Sequence, residues 1–282
     1  MNFHKIKSHA KINLSLNVLG KLKSKMHKIE SLVSFLNLSD EILIKKINNR
    51  NHKVKFVGKF SRKIPENNTI TNLLYLLDDK KKLKNQKYLI KVKKNIPQKS
   101  GMGGGSMNAA SILKYFITKK ILKISKKKVI NLSNKVGSDV ILGLEKKNSV
   151  LFKDGKVARL QKKLNFYVLV VMPNFGCSTK NIFSMVRTFS KQLYFNKNKI
   201  FFRTSNLIQS NNDLENIVFK KYPIIKNLKH FLSNLPNVVF TRMTGTGSAV
   251  VAYFKSKNAA KKAEKFFKSK YKSYWYIISK TI

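Results

Sequence analysis

The chain has few acidic residues, one cysteine and no long apolar run. Asp and Glu make up only 12 of its 282 residues, against 59 Lys and Arg. The single cysteine, Cys177, excludes an internal disulfide and is typical of a reducing compartment. The longest apolar run, residues 166–172, is far too short to span a bilayer, and the N-terminal residues contain no apolar signal-peptide segment. These absences predict a cytoplasmic protein without a membrane partner.

The shortage of acids leaves a formal net charge of +47, which attracts nucleic acids and other polyanions without reading their sequence. The basic residues are nevertheless spread along the whole chain, and no RGG tract, basic tail or zinc-finger spacing is present. The histidines also lack the spacing of metal ligands. We therefore expect weak binding to polyanions, no specific nucleic-acid partner and no metal-ligating residues.

A glycine-rich stretch is the strongest local signal. Residues 88–93 alternate as in a strand, residues 107–116 have helical spacing, and between them lie the glycines Gly101, Gly103, Gly104 and Gly105. Glycines allow a loop to turn its backbone N–H groups toward one point, and the start of the next helix adds a partial positive charge. Ser106 is placed to cap that helix or to donate its hydroxyl to an oxyanion. The pattern predicts a phosphate-binding loop, and the alternative is a flexible turn.

Two familiar nucleotide-binding motifs are absent from this stretch. No lysine follows the glycines, so it is not a Walker A loop, and Ser106 interrupts the G-x-G-x-x-G pattern. The lysine and the acid that phosphoryl transfer needs must therefore come from elsewhere in the chain.

Because acids are scarce, each can be considered as a general base. Most fall at predicted turns or helix ends, where carboxylates commonly cap the backbone: Asp40, Glu41, Asp78, Asp79, Asp154, Asp213 and Glu215. Asp139 differs, since it follows Gly137-Ser138 and opens the apolar segment 140–142. It either caps a helix or acts as a base. Lys11, within A-K-I-N-L, either belongs to a solvated face, as most lysines here do, or orients such an aspartate.

The order of predicted elements favours an α+β protein with two lobes joined within residues 145–165. Residues 3–19 are predicted to form a strand pair or one bent strand, and residues 29–38 and 41–47 successive strands broken at Ser39-Asp40.

Elements farther along the chain are marked by caps and turn residues. Asn68 or Thr69 is expected to cap a helix, and a helix from Ser125 is expected to end at Gly137. Later segments predict a hairpin turning at Asp154-Gly155, a helix over 178–188 and a loop over 193–203.

Four motifs, taken in order, resemble the GHMP kinase superfamily, which includes galactokinase, homoserine kinase and mevalonate kinase. They are A-K-I-N-L at 10–14, the glycine stretch at 95–110, G-S-D-V at 137–140 and M-T-G-T-G-S at 243–248. The resemblance covers nearly the whole chain. It implies an α+β, two-lobed fold with a ribosomal-protein-S5-domain-2-like N-terminal lobe, residues 1–155, and a C-terminal α/β sandwich lobe, residues 156–282.

The same resemblance implies a kinase that uses ATP and Mg²⁺, with Asp139 as the base and Lys11 beside it. The residues implied to wrap the ATP phosphates are Pro97, Gln98, Lys99, Ser100, Gly101, Met102, Gly103, Gly104, Gly105, Ser106 and Met107. Within the superfamily, the chain resembles the branch whose acceptor is a cytidine-diphosphate-linked alcohol. The residues implied to face that small molecule are Asn13, His27, Thr179 and Phe183.

The cytosine of that acceptor is expected between His27 and Phe183, whose faces can stack on a base. The alternative for His27 is a solvated loop, residues 21–27. His9, Met26 and Ile141 replace the residues usual in this branch.

Two other functions stay open. One is another GHMP small-molecule kinase, such as a homoserine kinase, and the other is an RNA-binding protein of the S5-like fold. The net charge favours RNA binding, whereas the presence of both Lys11 and Asp139 favours a kinase.

Overall fold

The computed structural model describes residues 2–22, 26–80, 82–161 and 163–282. Its described residues fall into two compact units. The first unit draws on Met1–Ala10, Leu38–Gln98 and Gly103–Lys146, and the second on Lys11–Asn37, Lys99–Met102 and Lys147–Ile282. Each unit therefore combines separated parts of the sequence. A domain boundary between residues 155 and 156 stays a prediction.

The described strands and helices follow the expected α+β order. The strands are β1 (His4–Lys21), β2 (His27–Ile47), β3 (Lys53–Val57), β4 (Lys87–Lys93), β5 (Ser149–Leu151), β6 (Val157–Arg159), β7 (Tyr167–Met172), β8 (Phe240–Met243), β9 (Val250–Phe254) and β10 (Trp275–Lys280). The helices are α1 (Thr69–Asp79), α2 (Gly104–Thr118), α3 (Lys126–Val136), α4 (Val140–Gly143), α5 (Thr179–Ser184), α6 (Thr204–Gln209), α7 (Leu214–Lys221), α8 (Pro223–Ser233) and α9 (Lys257–Lys270), with a 3-10 turn at Lys199–Phe202.

The first unit packs helices against a sheet. Strand β4 pairs in parallel with β3 and antiparallel with the second half of β2, in a register that runs from Glu41↔Lys93 to Ile47↔Lys87. Alternate strand residues point into one core with the apolar faces of α1 and α2, and this core includes Ile42, Ile44, Ile90, Val92, Leu73, Leu77, Ile112 and Phe116. Strand β4 then runs directly into the glycine-rich stretch and α2.

The second unit contains an antiparallel sheet in the order β10-β7-β9-β8. Strand β7 is buried, and helices α7, α8 and α9 contribute apolar residues to its core, which includes Leu169, Val171, Leu214, Leu228, Val250 and Phe267. The first half of β2 pairs with β5, and β5 pairs with β6. The β5–β6 hairpin turns at Asp154-Gly155, as predicted.

Several predicted helix ends are confirmed by their hydrogen bonds. The Asn68 side chain accepts hydrogen bonds from the N–H groups of Ile70 and Thr71 and caps α1. Ser125 caps α3, and Gly137 follows the last residue of that helix. Short polar residues at these positions satisfy N–H groups that the helix leaves unpaired.

Other local predictions are wrong. Strand β2 runs unbroken through Ser39-Asp40, because the Asp40 carboxylate is buried and accepts hydrogen bonds inside the first unit. Helix α5 ends at Ser184, before the expected end near Thr188, and the expected loop over 193–203 contains a 3-10 turn. By contrast, the N-terminal segment forms one strand, β1, which confirms the single-strand alternative predicted for it. Residues 23–25 of the expected loop before His27 lie outside the described residues.

Candidate active site

Residues 99–102, the first half of the glycine-rich stretch, are held by backbone contacts within the second unit. The Lys99 carbonyl accepts hydrogen bonds from the N–H groups of Cys177, at 3.1 Å, and Ser248, at 3.3 Å. Gly101 has a φ of +77°, and a Cβ there would lie 1.9 Å from the Thr244 carbonyl oxygen. Only glycine fits such a close approach of two chain segments. The M-T-G-T-G-S motif thus shapes this half of the stretch.

Residues 103–107, the second half, open helix α2 in the first unit. The helix begins at Gly104, earlier than the expected Met107, and Gly103 precedes it with a left-handed φ of 67°. No side chain caps α2, so the expectation that Ser106 caps it is wrong. The N–H groups of the first helical turn therefore point out of the helix end, where the helix dipole is positive. This geometry suits a phosphate.

Asp139 stands directly before α4 in the first unit, and its side chain makes no capping hydrogen bond to that helix. Of the two interpretations open from the sequence, the helix cap is therefore excluded. A Cβ on Gly143 would lie 2.7 Å from the Ala110 Cβ and 2.9 Å from the Met107 sulfur, so α4 packs closely on α2. Asp139 is half-buried at the start of that packed helix.

Lys11 lies in β1 within the second unit and is 4% exposed, which excludes the solvated face. Its Nζ donates a hydrogen bond to Asn13 Oδ1 at 2.6 Å. Asn13 in turn donates from Nδ2 to Ser31 Oγ at 2.8 Å, and its N–H donates to Thr244 Oγ1 at 3.0 Å. Both side chains are therefore fixed in orientation.

His27 begins β2, half-buried, and its ring lies against Phe183 with centroids 5.1 Å apart and planes inclined by 35°. Two rings in direct contact leave no room for a base between them, so the expected sandwich is absent from this arrangement. Burial, and then the charge of Lys21, lower the pKa of His27. Its Nε2 is buried without a hydrogen-bond partner in the described residues. A neutral imidazole with one unpaired nitrogen can recognise a ligand group.

Thr179 belongs to the same part of the second unit. It lies one helical turn before Phe183 on α5, and its hydroxyl is 3.2 Å from that of Thr246 in the M-T-G-T-G-S motif. The predicted acceptor residues Asn13, Thr179, Phe183 and His27 are thus linked to one another through α5 and this motif. Whether they bind an acceptor stays a prediction.

Sequence reasoning missed three polar residues beside the glycine-rich stretch. Asp40, Lys94 and Asn108 are all buried in the first unit, and their side chains are joined by hydrogen bonds. A polar S-D-E segment and one lysine among many carry no signal of burial, so no pattern in the sequence marks this cluster.

Two protein-family models match the chain and define its class. "GHMP kinases N terminal domain" matches residues 68–146, and "GHMP kinases C terminal" matches residues 197–273. A crystal structure of 4-(cytidine 5'-diphospho)-2C-methyl-D-erythritol kinase superposes with a TM-score of 0.77 at 20% identity, covering 98% of this chain and 99% of that one. A homoserine kinase from Cytophaga hutchinsonii superposes with a TM-score of 0.73 at 16% identity, covering 100% and 95%. The predicted GHMP kinase fold is confirmed.

Full-length relatives narrow the class further. A protein from Pelagibacter ubique (strain HTCC1062), named 4-diphosphocytidyl-2-C-methyl-D-erythritol kinase, is 51% identical over 100% of both chains. A protein of the same name from Clostridium perfringens (strain SM101 / Type A) is 31% identical over 99% of this chain and 98% of its own. The chain therefore belongs to the GHMP kinase family, in the branch whose relatives carry the name 4-diphosphocytidyl-2-C-methyl-D-erythritol kinase.

Membrane-spanning helices and clusters of metal ligands are both absent from the described residues. No helix there has the length and apolar character needed to cross a bilayer. No group of three or more His, Cys, Asp or Glu side chains there is arranged to hold a metal ion.

Proposed function

We propose that this chain transfers the γ-phosphoryl group of ATP to the 2-hydroxyl of 4-diphosphocytidyl-2-C-methyl-D-erythritol, a step of the non-mevalonate route to isoprenoid precursors. The observation that carries the proposal is the 51% identity, over the full length of both chains, to a relative of that name. The uncapped start of α2 and the position of the Asp139 carboxylate directly before α4 support it, because phosphoryl transfer needs phosphate-binding donors and a base. We also propose the cytoplasm as its location.

In this proposal, residues Pro97 to Met107 bind the ATP phosphates. The N–H groups at the start of α2 supply the donors, and Gly103, in a left-handed conformation without a Cβ, lets the backbone approach the ligand. These donors are fixed before nucleotide arrives, so they do not have to reorganise during the reaction.

Asp139 would accept the proton of the acceptor hydroxyl, which makes that oxygen a better nucleophile. Lys11 would hold its ammonium toward the same oxygen and stabilise developing negative charge. The hydrogen bond from Lys11 Nζ to Asn13 limits the rotation of a long side chain and so prepares it for this role.

Mg²⁺ fits this site as part of the nucleotide. The ion usually keeps several waters and takes one or two carboxylates together with substrate phosphates, so a cage of protein ligands is not needed. When bound, the ion would neutralise charge on the phosphate oxygens.

For the acceptor, we propose that cytosine stacks on the surface that His27 and Phe183 form together. The unpaired Nε2 lies in the plane of the His27 ring, so it would bond a polar acceptor group beside the stacked base, and analogues without that group would leave the nitrogen unpaired. Asn13 and Thr179 would contact other polar groups of the acceptor.

The test is ADP release by the purified full chain with Mg²⁺-ATP and one acceptor at a time. We expect turnover with the cytidylyl methylerythritol and a phosphomonoester signal at its 2-position in ³¹P NMR. Homoserine and mevalonate should neither react nor compete. Efficient phosphorylation of homoserine would contradict the proposed identity of the acceptor and leave the superfamily assignment in place.

An RNA-binding function is the second candidate, because the formal charge is +47. We propose that polyanions bind only weakly and in proportion to charge. Tight binding to one RNA that persists at high salt would favour the RNA-binding function instead.

A further inference from the structure

We propose that Asp40 is a positioning residue of the nucleotide site, whose buried carboxylate fixes both ends of the glycine-rich stretch. The inference rests on the proposed function, since it concerns how this kinase holds ATP. Asp40 has no exposed surface and lies in the middle of β2, far along the sequence from the residues that it contacts.

One carboxylate oxygen of Asp40 fixes the entrance of the stretch. Oδ1 accepts hydrogen bonds from the N–H groups of Asn95, at 2.7 Å, and Ile96, at 2.8 Å. These two residues follow the last residues of β4 and directly precede Pro97. The backbone that leaves the sheet is therefore tied to a neighbouring strand at the point where the proposed phosphate-binding residues begin.

The other oxygen fixes the helix that the stretch leads into. Oδ2 accepts hydrogen bonds from Lys94 Nζ and from Asn108 Nδ2, the latter at 3.0 Å. Asn108 lies in the N-terminal part of α2. Lys94 is 4% exposed, and its Nζ lies 3.1 Å from where a Cβ on Gly104 would stand. Through Lys94 and Asn108, Asp40 thus supports the first turns of α2 as well.

This arrangement fixes the N–H groups at the start of α2, which are proposed to bind phosphate, relative to strand β2. The start of α2 is further tied to α1, because Thr69 Oγ1 donates a hydrogen bond to the Gly105 carbonyl at 2.8 Å. A small displacement of such donors weakens their electrostatic contribution strongly, since the donors must meet oxygens at hydrogen-bond distance. Asp40 acts through the donors and does not touch nucleotide itself.

The test variant is Asp40→Asn. The amide oxygen still accepts from the Asn95 and Ile96 N–H groups, whereas the amide nitrogen cannot accept from Lys94 or Asn108. We expect the KM for ATP to rise about tenfold or more and kcat to fall about tenfold, a size typical of misplaced groups. The KM for the acceptor should stay within about twofold, because the proposed acceptor residues belong to the second unit. A general loss of folding would lower the active fraction without raising one KM selectively.

Glu41→Gln is the matched control. Glu41 follows Asp40 in the sequence, and its replacement by Gln removes the same charge. Its carboxylate pairs with Lys5 Nζ on the protein surface at 2.7 Å. Its KM for ATP should stay within about twofold of the wild-type value, since a surface pair contributes little.

A double variant, Asp40→Asn with Lys94→Met, separates positioning from stability. Asp40→Asn alone leaves the Lys94 ammonium buried without its countercharge, which is strongly destabilising. Lys94→Met removes that charge, so we expect the Tm of the double variant to recover while the KM for ATP stays raised. A KM for ATP that returns to normal with the Tm, or an unchanged KM in the single variant, would overturn the inference. Failure of the wild type to turn over ATP with the cytidylyl acceptor would instead contradict the proposed function.

Discussion

The two units prepare for their proposed ligands by different means. In the first unit, residues proposed to bind the ATP phosphates stand at the start of α2, and a buried carboxylate, Asp40, ties the surrounding backbone together. In the second unit, the residues proposed to meet the acceptor are joined by neutral groups, such as the Asn13 amide and the Thr179 hydroxyl. The comparison shows that a buried carboxylate supports the proposed ATP site, whereas hydrogen bonds between neutral side chains support the proposed acceptor site.

The largest expected effect is on the chemical step. Asp139→Asn keeps the side-chain shape but cannot accept the hydroxyl proton, so kcat should fall about 10²–10⁴-fold with ATP binding retained. Lys11→Ala should behave similarly, and the double variant should be less than additive if the two residues act as a unit. Stopped-time assays and calorimetry measure these values. Asp154→Asn, at the surface hairpin, is the control. Near-normal turnover by Asp139→Asn would show that Asp139 is not the base.

The second-largest expected effect is a loss of affinity for ATP. Gly104→Val would place a Cβ 3.1 Å from Lys94 Nζ and 3.2 Å from the Ile96 side chain, and its branches would approach the phosphates. We expect ATP affinity, measured by titration calorimetry, to fall about tenfold or more, since the donors move as their support moves.

Gly155→Ala provides the control for Gly104→Val. It introduces strain at a φ of +79° in a hairpin turn with open space around it, which costs about 1–2 kcal/mol. Stability should fall while ATP affinity holds. If Gly104→Val bound ATP normally, the stretch would be only a turn.

A smaller effect should appear on the acceptor alone. His27→Ala removes an aromatic face and the unpaired Nε2, and the KM for the cytidylyl acceptor should rise about 5–150-fold, from a stacking energy of about 1–3 kcal/mol. The KM for ATP should hardly change. CMP or CDP should compete with the acceptor for the wild type and compete less for the variant. Equal changes in both KM values would contradict the division of roles between the units.

The smallest effect concerns pH and a histidine of the first unit. Burial lowers the pKa of His52, although Asp78 opposes the shift, and the His52 Nδ1 accepts a hydrogen bond from the Tyr88 N–H at 3.0 Å. The unfolded chain therefore binds a proton on His52 before the folded chain does, and stability is lost as pH falls below about 6.5. His52→Gln should unfold with a weaker pH dependence between about pH 7 and 5. Identical slopes in thermal unfolding would show that other groups cause the acid sensitivity.

Local sequence was sufficient wherever the deciding contacts lie close along the chain. The helix caps at Asn68 and Ser125 and the hairpin at Asp154-Gly155 were all predicted, because a cap or turn depends on residues only two to five positions apart. The same reasoning misplaced the break in β2 and the cap of α2. In β2, the Asp40 carboxylate accepts hydrogen bonds from residues far away in sequence. At the start of α2, the N–H groups have no side-chain cap.

The sequence by itself indicated the class of this protein, because four motifs in order resemble the GHMP kinase superfamily, and its clustered glycines predicted a loop that turns N–H groups toward a phosphate. Only the tertiary structure decided which charged residues are buried. Lys11 is one of many lysines in the sequence, yet it is buried in the structure. Asp40 was expected at a turn, yet it is buried and accepts hydrogen bonds from Lys94, Asn95, Ile96 and Asn108. Burial of a charge depends on partners far away in sequence, and desolvation is tolerated only where those partners meet.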